Sequence, residues 1–219
     1  MGQCGSRRSA SAAAWGISYS EPGVGEMSCS LIEELVSGDD ERAEAAALCM
    51  AELPAAQCQE ALQALSDLLH KGDEDGRWWA VRALAELPAA EAAGLLITAL
   101  GDRACSVRQC AALGLRLRPD PRAIPDLLAA LGDPDSLLAA LAADALTAIG
   151  APAVPGLLAV LQQGNNQARL EAVRALAEIG DERAIPDLFA SLDEDSAMME
   201  YWASEGLERM GVGMAYFFP

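Results

Sequence analysis

The sequence predicts an all-α protein, an α-solenoid of about six helix-pair repeats, and three observations predict it. One phrase recurs from Ala123, Ala153 and Ala184, reading Ala-Ile-Pro-Asp-Leu-Leu, Ala-Val-Pro-Gly-Leu-Leu and Ala-Ile-Pro-Asp-Leu-Phe. The apolar residues around these phrases have helical spacing. Glycine and proline stand where helices would end and begin. A fixed period of 30 to 34 residues is typical of stacked supersecondary units.

The first helix of each repeat is predicted from its leucines. In the fourth repeat Leu127 and Leu131 have the i, i+4 spacing of one helix face. Proline has no N–H to lose in the first turn of a helix, so Pro125, Pro155 and Pro186 mark helix starts. A leucine near the end of this helix recurs once in each repeat: Leu35, Leu69, Leu100, Leu131, Leu161 and Leu192.

The second helix of each repeat is predicted from small residues. In the fourth repeat an apolar stripe runs from Leu138 to Ile149 at i, i+4, i+7 and i+11. Gly150, Gly180 and Gly211 follow the last apolar position, as glycine does at helix C-termini. An alanine in the stripe recurs in register with the leucines: Ala46, Ala80, Ala111, Ala142, Ala172 and Ala203.

The period divides the chain into three parts. Residues 1–28 are rich in Gly, Ser and Ala and have no periodicity, which predicts a disordered or loosely ordered leader. Residues 29–211 form the repeat domain. Residues 212–219 are apolar, and we expect them to cap the last repeat or to dock on another subunit, since solenoids need covered ends.

Composition excludes several classes of function. The chain has 219 residues, a net charge of −18 and a single lysine, Lys71. This balance argues against binding to nucleic acid or to an anionic membrane, because both need a positive surface. No run of 18 apolar residues occurs, so no membrane span is predicted.

The cysteines and the single histidine predict neither a metal site nor a permanently bound cofactor. The six cysteines include no C-x-x-C pair, and we expect reduced thiols, with Cys49 and Cys110 packed inside the fold. His70 has no partner motif, so we expect it at the surface rather than in a catalytic site.

Departures from the repeat pattern are the candidate functional positions. The second helix of the second repeat carries Trp78 and Trp79, and the sixth repeat carries Tyr201 and Trp202 in the same two columns. Large aromatic residues beside a buried stripe often mark a contact surface. The alternative, which stays open for Trp79 and Trp202, is that they pack over the neighbouring repeat.

Charged residues accompany these aromatic pairs. The column that contains Arg82 continues with Leu113, Asp144, Arg174 and Glu205, so the charge alternates in sign along one ridge. The column of Trp79 carries an acidic residue, Glu171, in the fifth repeat. The charged side chains of such a ridge can pair with charged groups of a partner protein, although charged columns are often only solvated helix faces.

With these residues established, the chain resembles the HEAT-like repeat proteins of the phycobilin lyase E/F-type family. The motif Asp-x-x-x-Val-Arg-x-x-Ala-Ala-x-Ala-Leu appears most clearly over residues 102–115, with Val107 and Arg108, although one more residue precedes Val107 and Gly114 replaces the last alanine. It appears again over 169–176. The resemblance covers about five-sixths of the chain. It implies a groove that holds a bilin and an apoprotein together while a cysteine of a phycobiliprotein adds to the pigment, in the cyanobacterial cytoplasm.

The resemblance also implies roles for candidate ligand- or partner-binding residues. The four aromatic residues would stack on pyrrole rings, Arg82 and Arg174 would clamp propionates, and Asp144, Glu171 or Glu205 would bind the pyrrole N–H groups. A bilin would be a substrate, and the partner a phycobiliprotein subunit or a second lyase subunit. A related metal-dependent hydroxylase uses His-Glu pairs, which this chain lacks. A non-catalytic scaffold that binds another protein remains the alternative.

Overall fold

The computed structural model describes residues 26–193 and 196–212. Most of the predicted leader, residues 1–25, lies outside the described residues, as do residues 213–219 of the predicted cap. The first helix begins at Glu26, three residues before the predicted start of the repeats.

The described residues form twelve α-helices in six consecutive pairs and contain no strand, which confirms the predicted fold class. The first helices of the pairs are α1 (Glu26–Leu35), α3 (Ala55–Lys71), α5 (Ala92–Ala99), α7 (Ile124–Ala130), α9 (Val154–Gln163) and α11 (Ile185–Ser191). The second helices are α2 (Asp40–Cys49), α4 (Glu74–Glu86), α6 (Cys105–Leu117), α8 (Ser136–Ile149), α10 (Asn166–Ile179) and α12 (Ala197–Arg209).

The helix ends follow local sequence signals. Pro125, Pro155 and Pro186 lie in the first turns of α7, α9 and α11, as predicted, and a short 3-10 turn precedes each of them. Several second helices begin at a side chain that accepts backbone N–H bonds, such as Asp73 at α4 and Asn165 at α10.

The predicted alanine column forms the centre of the stack. All six of its alanines are buried, and consecutive second helices pack directly on one another there. One close approach is at Gly206 of α12, where an added Cβ would lie 2.7 Å from the Cβ and 2.8 Å from the Cα of Ala177 in α10. Small residues at this contact therefore set the short spacing between the repeats.

The second helices form the more closely packed row of the stack. Neighbouring second helices contact one another at every step, whereas neighbouring first helices contact one another more sparsely. We call the solvent-facing surface of the row of second helices the inner face. No single described helix is long and apolar enough to cross a membrane. The helices Ser136–Ile149 and Ala151–Gln163 reach that length and apolar composition only when taken together, and this pair is bent by 116°.

A buried ion pair connects the second and third repeats. Arg77 in α4 donates from Nε and Nη2 to the two carboxylate oxygens of Asp102, at 2.8 and 3.0 Å, and from Nη1 to the carbonyl oxygen of Gly72. Asp102 also accepts the backbone N–H of Ala104 just before α6. The aspartate of the repeat motif thus holds the turn between two helices, which is a structural role.

Candidate functional site

The structure divides the nine predicted site residues into two groups on the inner face. The N-terminal cluster lies on α4 and consists of Trp78, Trp79 and Arg82. The C-terminal cluster lies on α8, α10 and α12 and consists of Asp144, Glu171, Arg174, Tyr201, Trp202 and Glu205. Four helix-to-helix steps separate α4 from α12, roughly 35 Å at usual helix spacing. One pigment therefore cannot contact both aromatic pairs.

The two tryptophans of the N-terminal cluster contact each other edge to face. Their ring centroids are 4.7 Å apart and their planes meet at 89°. Both side chains are half-buried and pack against the hydrophobic core. Each tryptophan thus contributes to packing between repeats while part of its ring remains accessible. The packing interpretation of Trp79 is confirmed, and a contact role for its accessible part stays a prediction.

Trp78 and Trp79 line a cleft between the first two repeats, here called the tryptophan cleft. Its volume is about 720 Å³, and it opens between the start of α2 and the start of α4. Four carboxylates surround it: Asp40, Glu44, Asp73 and Asp75. The remaining lining residues are Leu35, Val36, Gly38 and Gly76. A cleft with two indoles and four acidic groups favours a positively charged occupant.

The four carboxylates differ in how they are used within the chain. Asp73 accepts the backbone N–H of Gly76 at the start of α4, at 2.9 Å. Glu44 accepts from Arg82 at 2.6 Å. Asp40 and Asp75 are exposed, and neither has a side-chain partner among residues 26–193 and 196–212. Two acidic groups at this cleft are therefore free to bind something else.

Arg82 is held by the chain's own acidic groups. Its Nη2 donates to Glu44 and its Nη1 donates to Glu86, at 2.6 and 2.7 Å. Burial lowers the pKa of Arg82, but the hydrogen bonds to Glu44 and Glu86 outweigh it and leave the pKa above its ordinary value. The predicted propionate clamp is already engaged in the free protein.

Arg174 is at the centre of the C-terminal cluster and is even more fully engaged. Its guanidinium donates to Glu171 at 2.9 Å, to Asp144 at 2.8 Å and to the carbonyl oxygen of Ala140 at 2.9 Å. A longer contact of 3.4 Å reaches Glu178. Glu171 is buried, so this pairing also neutralises a charge inside the stack. Two members of the predicted charge ridge, Asp144 and Arg174, therefore belong to an internal network that connects α8 to α10.

The aromatic pair on α12 is the more accessible of the two. Tyr201 and Trp202 have ring centroids 5.2 Å apart with planes at 73°. Tyr201 is 55% exposed, whereas Trp202 is half-buried and packs on the core. Glu205, one turn further along, pairs with Arg209 at 3.3 Å. The Tyr201 ring is thus accessible to solvent, and its role in contact with a partner stays a prediction.

Cys49, Cys110 and His70 lie as predicted, whereas Cys4 lies outside the described residues. Cys49 is half-buried and Cys110 is buried, and burial raises the pKa of the Cys110 thiol to about 12. His70 is exposed, with Nδ1 donating to the carbonyl oxygen of Ser66 at 2.7 Å. Within the described part of the chain, no three His, Cys, Asp or Glu side chains are close enough to hold a metal ion.

Sequence reasoning missed the carboxylates of the tryptophan cleft. Asp75 stands three residues before Trp78, in a position that the repeat pattern treats as an ordinary first turn. Asp40 belongs to the preceding repeat, 38 residues away from Trp78. The available signal was that α2 and α4 both begin with acidic residues, because the starts of neighbouring second helices lie side by side.

The chain is similar in sequence to the HEAT repeat family and to two proteins from cyanobacteria. The sequence profile of HEAT repeats matches residues 62–147, 94–167 and 154–212. A phycocyanobilin lyase subunit beta from Nostoc sp. is 40% identical over 83 residues, which are 38% of this chain and 42% of that protein. A phycobilisome maturation protein from Synechococcus elongatus is 39% identical over 89 residues, 40% of this chain and 43% of that protein.

The chain therefore spans about two fifths of the length of these relatives. Among solved structures, a designed armadillo repeat protein in complex with the peptide (KR)4 has a TM-score of 0.52 and 20% identity. The alignment covers 85% of this chain and 100% of that one. At this identity the similarity concerns the fold alone.

Proposed function

The chain belongs to the HEAT repeat family, and on this premise we propose that it acts in the cyanobacterial cytoplasm as a subunit or chaperone of a phycobilin lyase. The observation that carries the proposal is the 40% identity over 83 residues to a phycocyanobilin lyase subunit beta. Its substrate would be a bilin, and its partners a phycobiliprotein subunit and a second lyase subunit.

The proposed pigment surface is the C-terminal cluster. Tyr201 presents an exposed ring for stacking on a pyrrole, with Trp202 beside it. Arg174 lies one helix away and can exchange its weakest contact, the 3.4 Å contact to Glu178, for a propionate. Glu205, on the same helix as Tyr201, is partly exposed and would accept a pyrrole N–H.

The proposed role is to hold two reactants in place. The thiol of a phycobiliprotein cysteine adds across a double bond of the pigment: a carbon–sulfur bond forms, and the thiol hydrogen ends on the neighbouring carbon. This addition needs no oxidant or reductant. A surface that orients both reactants accelerates it by replacing a bimolecular encounter with a preorganised one. The N-terminal cluster fits this role less well, because Asp40 and Asp75 have no side-chain partner among the described residues and would repel propionates. Asp144 and Glu171, by contrast, are paired with Arg174.

A non-catalytic scaffold is the second candidate. The specific observation in its favour is that Arg82 and Arg174 already have acceptors within the chain. Such a protein would bind a protein partner on the inner face without handling pigment.

The deciding experiment combines this chain, a second lyase subunit, a bilin-producing pathway and a phycobiliprotein apo-subunit in one expression host. Covalent pigment on the apo-subunit is measured by zinc-enhanced fluorescence after denaturing electrophoresis. We expect more covalent pigment with the chain than without it, and a several-fold loss in Tyr201→Ala. Leu48→Ala is the matched control, since Leu48 is similarly exposed but lies at the other end, on α2. Equal pigment with and without the chain would overturn the lyase proposal and favour the scaffold.

A further inference from the structure

We infer that the tryptophan cleft binds an arginine-bearing, basic segment of a protein partner. This inference goes beyond pigment attachment, because it concerns a different end of the inner face and applies equally to a lyase subunit and to a scaffold. It identifies the chemistry that the N-terminal cluster recognises.

The charge around the cleft favours a cationic occupant. Four carboxylates surround one opening, and two cations beside them are already engaged, Arg82 by Glu44 and Glu86, and Arg77 by Asp102. Asp40 and Asp75 remain exposed and unpartnered in the part of the chain that the structure describes. An incoming cation therefore meets uncompensated negative charge from two helices, while an anion is repelled.

The two indoles favour arginine over lysine as the source of that positive charge. Trp78 and Trp79 stand edge to face, so their ring planes face different directions within the cleft. Indole is the strongest cation–π partner among side chains. A guanidinium is planar and weakly hydrated, so it can stack on an indole while its N–H groups reach nearby carboxylates. Lysine would gain the charge interaction but not the stacking.

The spacing of the acidic groups excludes the simplest competing occupant. A divalent cation needs several oxygen ligands converging on one point, and no three potential metal ligands converge within the described residues. A cleft of about 720 Å³ also lies within the range of sites that enclose organic groups, roughly 300–1,000 Å³. The cleft is therefore suited to a side chain from an extended peptide rather than to a metal ion.

The test is fluorescence anisotropy of a fluorescein-labelled Gly-Arg-Gly-Arg-Gly peptide titrated with the full chain, without pigment. Reference peptides carry citrulline, which is the neutral isostere, or glutamate in place of arginine. We expect saturable binding of the arginine peptide only, and at least threefold weaker binding in Trp78→Leu, which keeps apolar bulk but removes the indole.

Paired charge variants separate a site from general attraction to an acidic protein. The double variant Asp40→Asn/Asp75→Asn should weaken binding at least tenfold. Glu60→Gln/Asp126→Asn removes the same charge from exposed positions on the first helices and should change binding less than twofold. Equal weakening in both, binding of the citrulline peptide, or no saturable binding below about 1 mM would overturn the inference. Because all four carboxylates that are changed are exposed, these variants test it even if Trp78→Leu does not fold. The assay contains no pigment, so its outcome is independent of the attachment experiment.

Discussion

Replacing Asp102 with asparagine removes the charge that balances a buried guanidinium. Arg77 makes two hydrogen bonds to the Asp102 carboxylate, and the two side chains are only 6% and 11% exposed. Removing one partner of a buried ion pair costs about 3–5 kcal/mol, because the other charge is left desolvated. We therefore expect Asp102→Asn to lower the free energy of unfolding by about 3–5 kcal/mol.

The assay is urea denaturation followed by circular dichroism, with an exposed pair as the matched control. Lys71 and Asp67 form a 2.9 Å ion pair whose side chains are 75% and 54% exposed. Exposed pairs contribute less than about 1 kcal/mol, so Asp67→Asn should be nearly neutral. Similar losses for the two variants, or a loss under about 1 kcal/mol for Asp102→Asn, would refute the reasoning that burial makes the Arg77–Asp102 pair important.

The same pair predicts a pH dependence with a definite sign. The hydrogen bond from Arg77 holds the pKa of the Asp102 carboxyl below its ordinary value. A carboxyl with a lowered folded-state pKa stabilises the fold above its unfolded pKa, about 3.9, and loses that contribution as the pH falls through the folded pKa. The stability difference between wild type and Asp102→Asn should stay constant from about pH 7 to 5 and shrink below about pH 4. A difference that grows in acid would contradict this account.

Two further predictions concern packing. Gly206→Ala should lower the free energy of unfolding by about 1–3 kcal/mol, because its Cβ would lie 2.8 Å from the Cα of Ala177. Gly94→Ala is the control: nothing lies within 4 Å of its added Cβ, and alanine should stabilise α5 by about 0.5–1 kcal/mol. Both values come from urea denaturation, and destabilisation of similar size at both sites would count against close helix contact as the cause. Cys110 should resist iodoacetamide in the folded protein at about pH 8, since burial raises the pKa of its thiol to about 12 and only the thiolate reacts. Mass spectrometry with and without urea measures this, and modification of Cys110 at the same rate in both conditions would contradict it.

The repeat period was sufficient to predict the architecture because each repeat contacts only its neighbours. A leucine and an alanine that recur about every 31 residues identify both buried faces of every helix pair, and the structure buries the whole alanine column. Pro125 and Gly150 mark a helix start and a helix end through the conformations that their own backbones favour. These signals are local, so the sequence expresses them directly.

The aromatic candidate positions were also predictable from the sequence, because they depart from the residues that recur at equivalent positions of the other repeats. The sequence separated Trp78 and Tyr201 from the buried stripe, and the structure leaves both partly accessible. The sequence left packing over the neighbouring repeat open for Trp202, and the structure packs this ring on the core whereas Tyr201 is mostly exposed. That difference depends on how far each ring reaches over the neighbouring repeat, which no spacing rule expresses.

By itself, the sequence determined that this protein is a stack of six helix pairs with an acidic surface and two aromatic departures. Only the tertiary structure decided which charges pair. Arg82 meets Glu44 and Arg174 meets Asp144, each a repeat away in sequence, while Asp40 and Asp75 stay free beside the tryptophans. The physical reason is that ion pairs depend on side-chain reach across a helix spacing of about 10 Å. The period brings equivalent positions side by side, but it does not choose among several acceptors within reach.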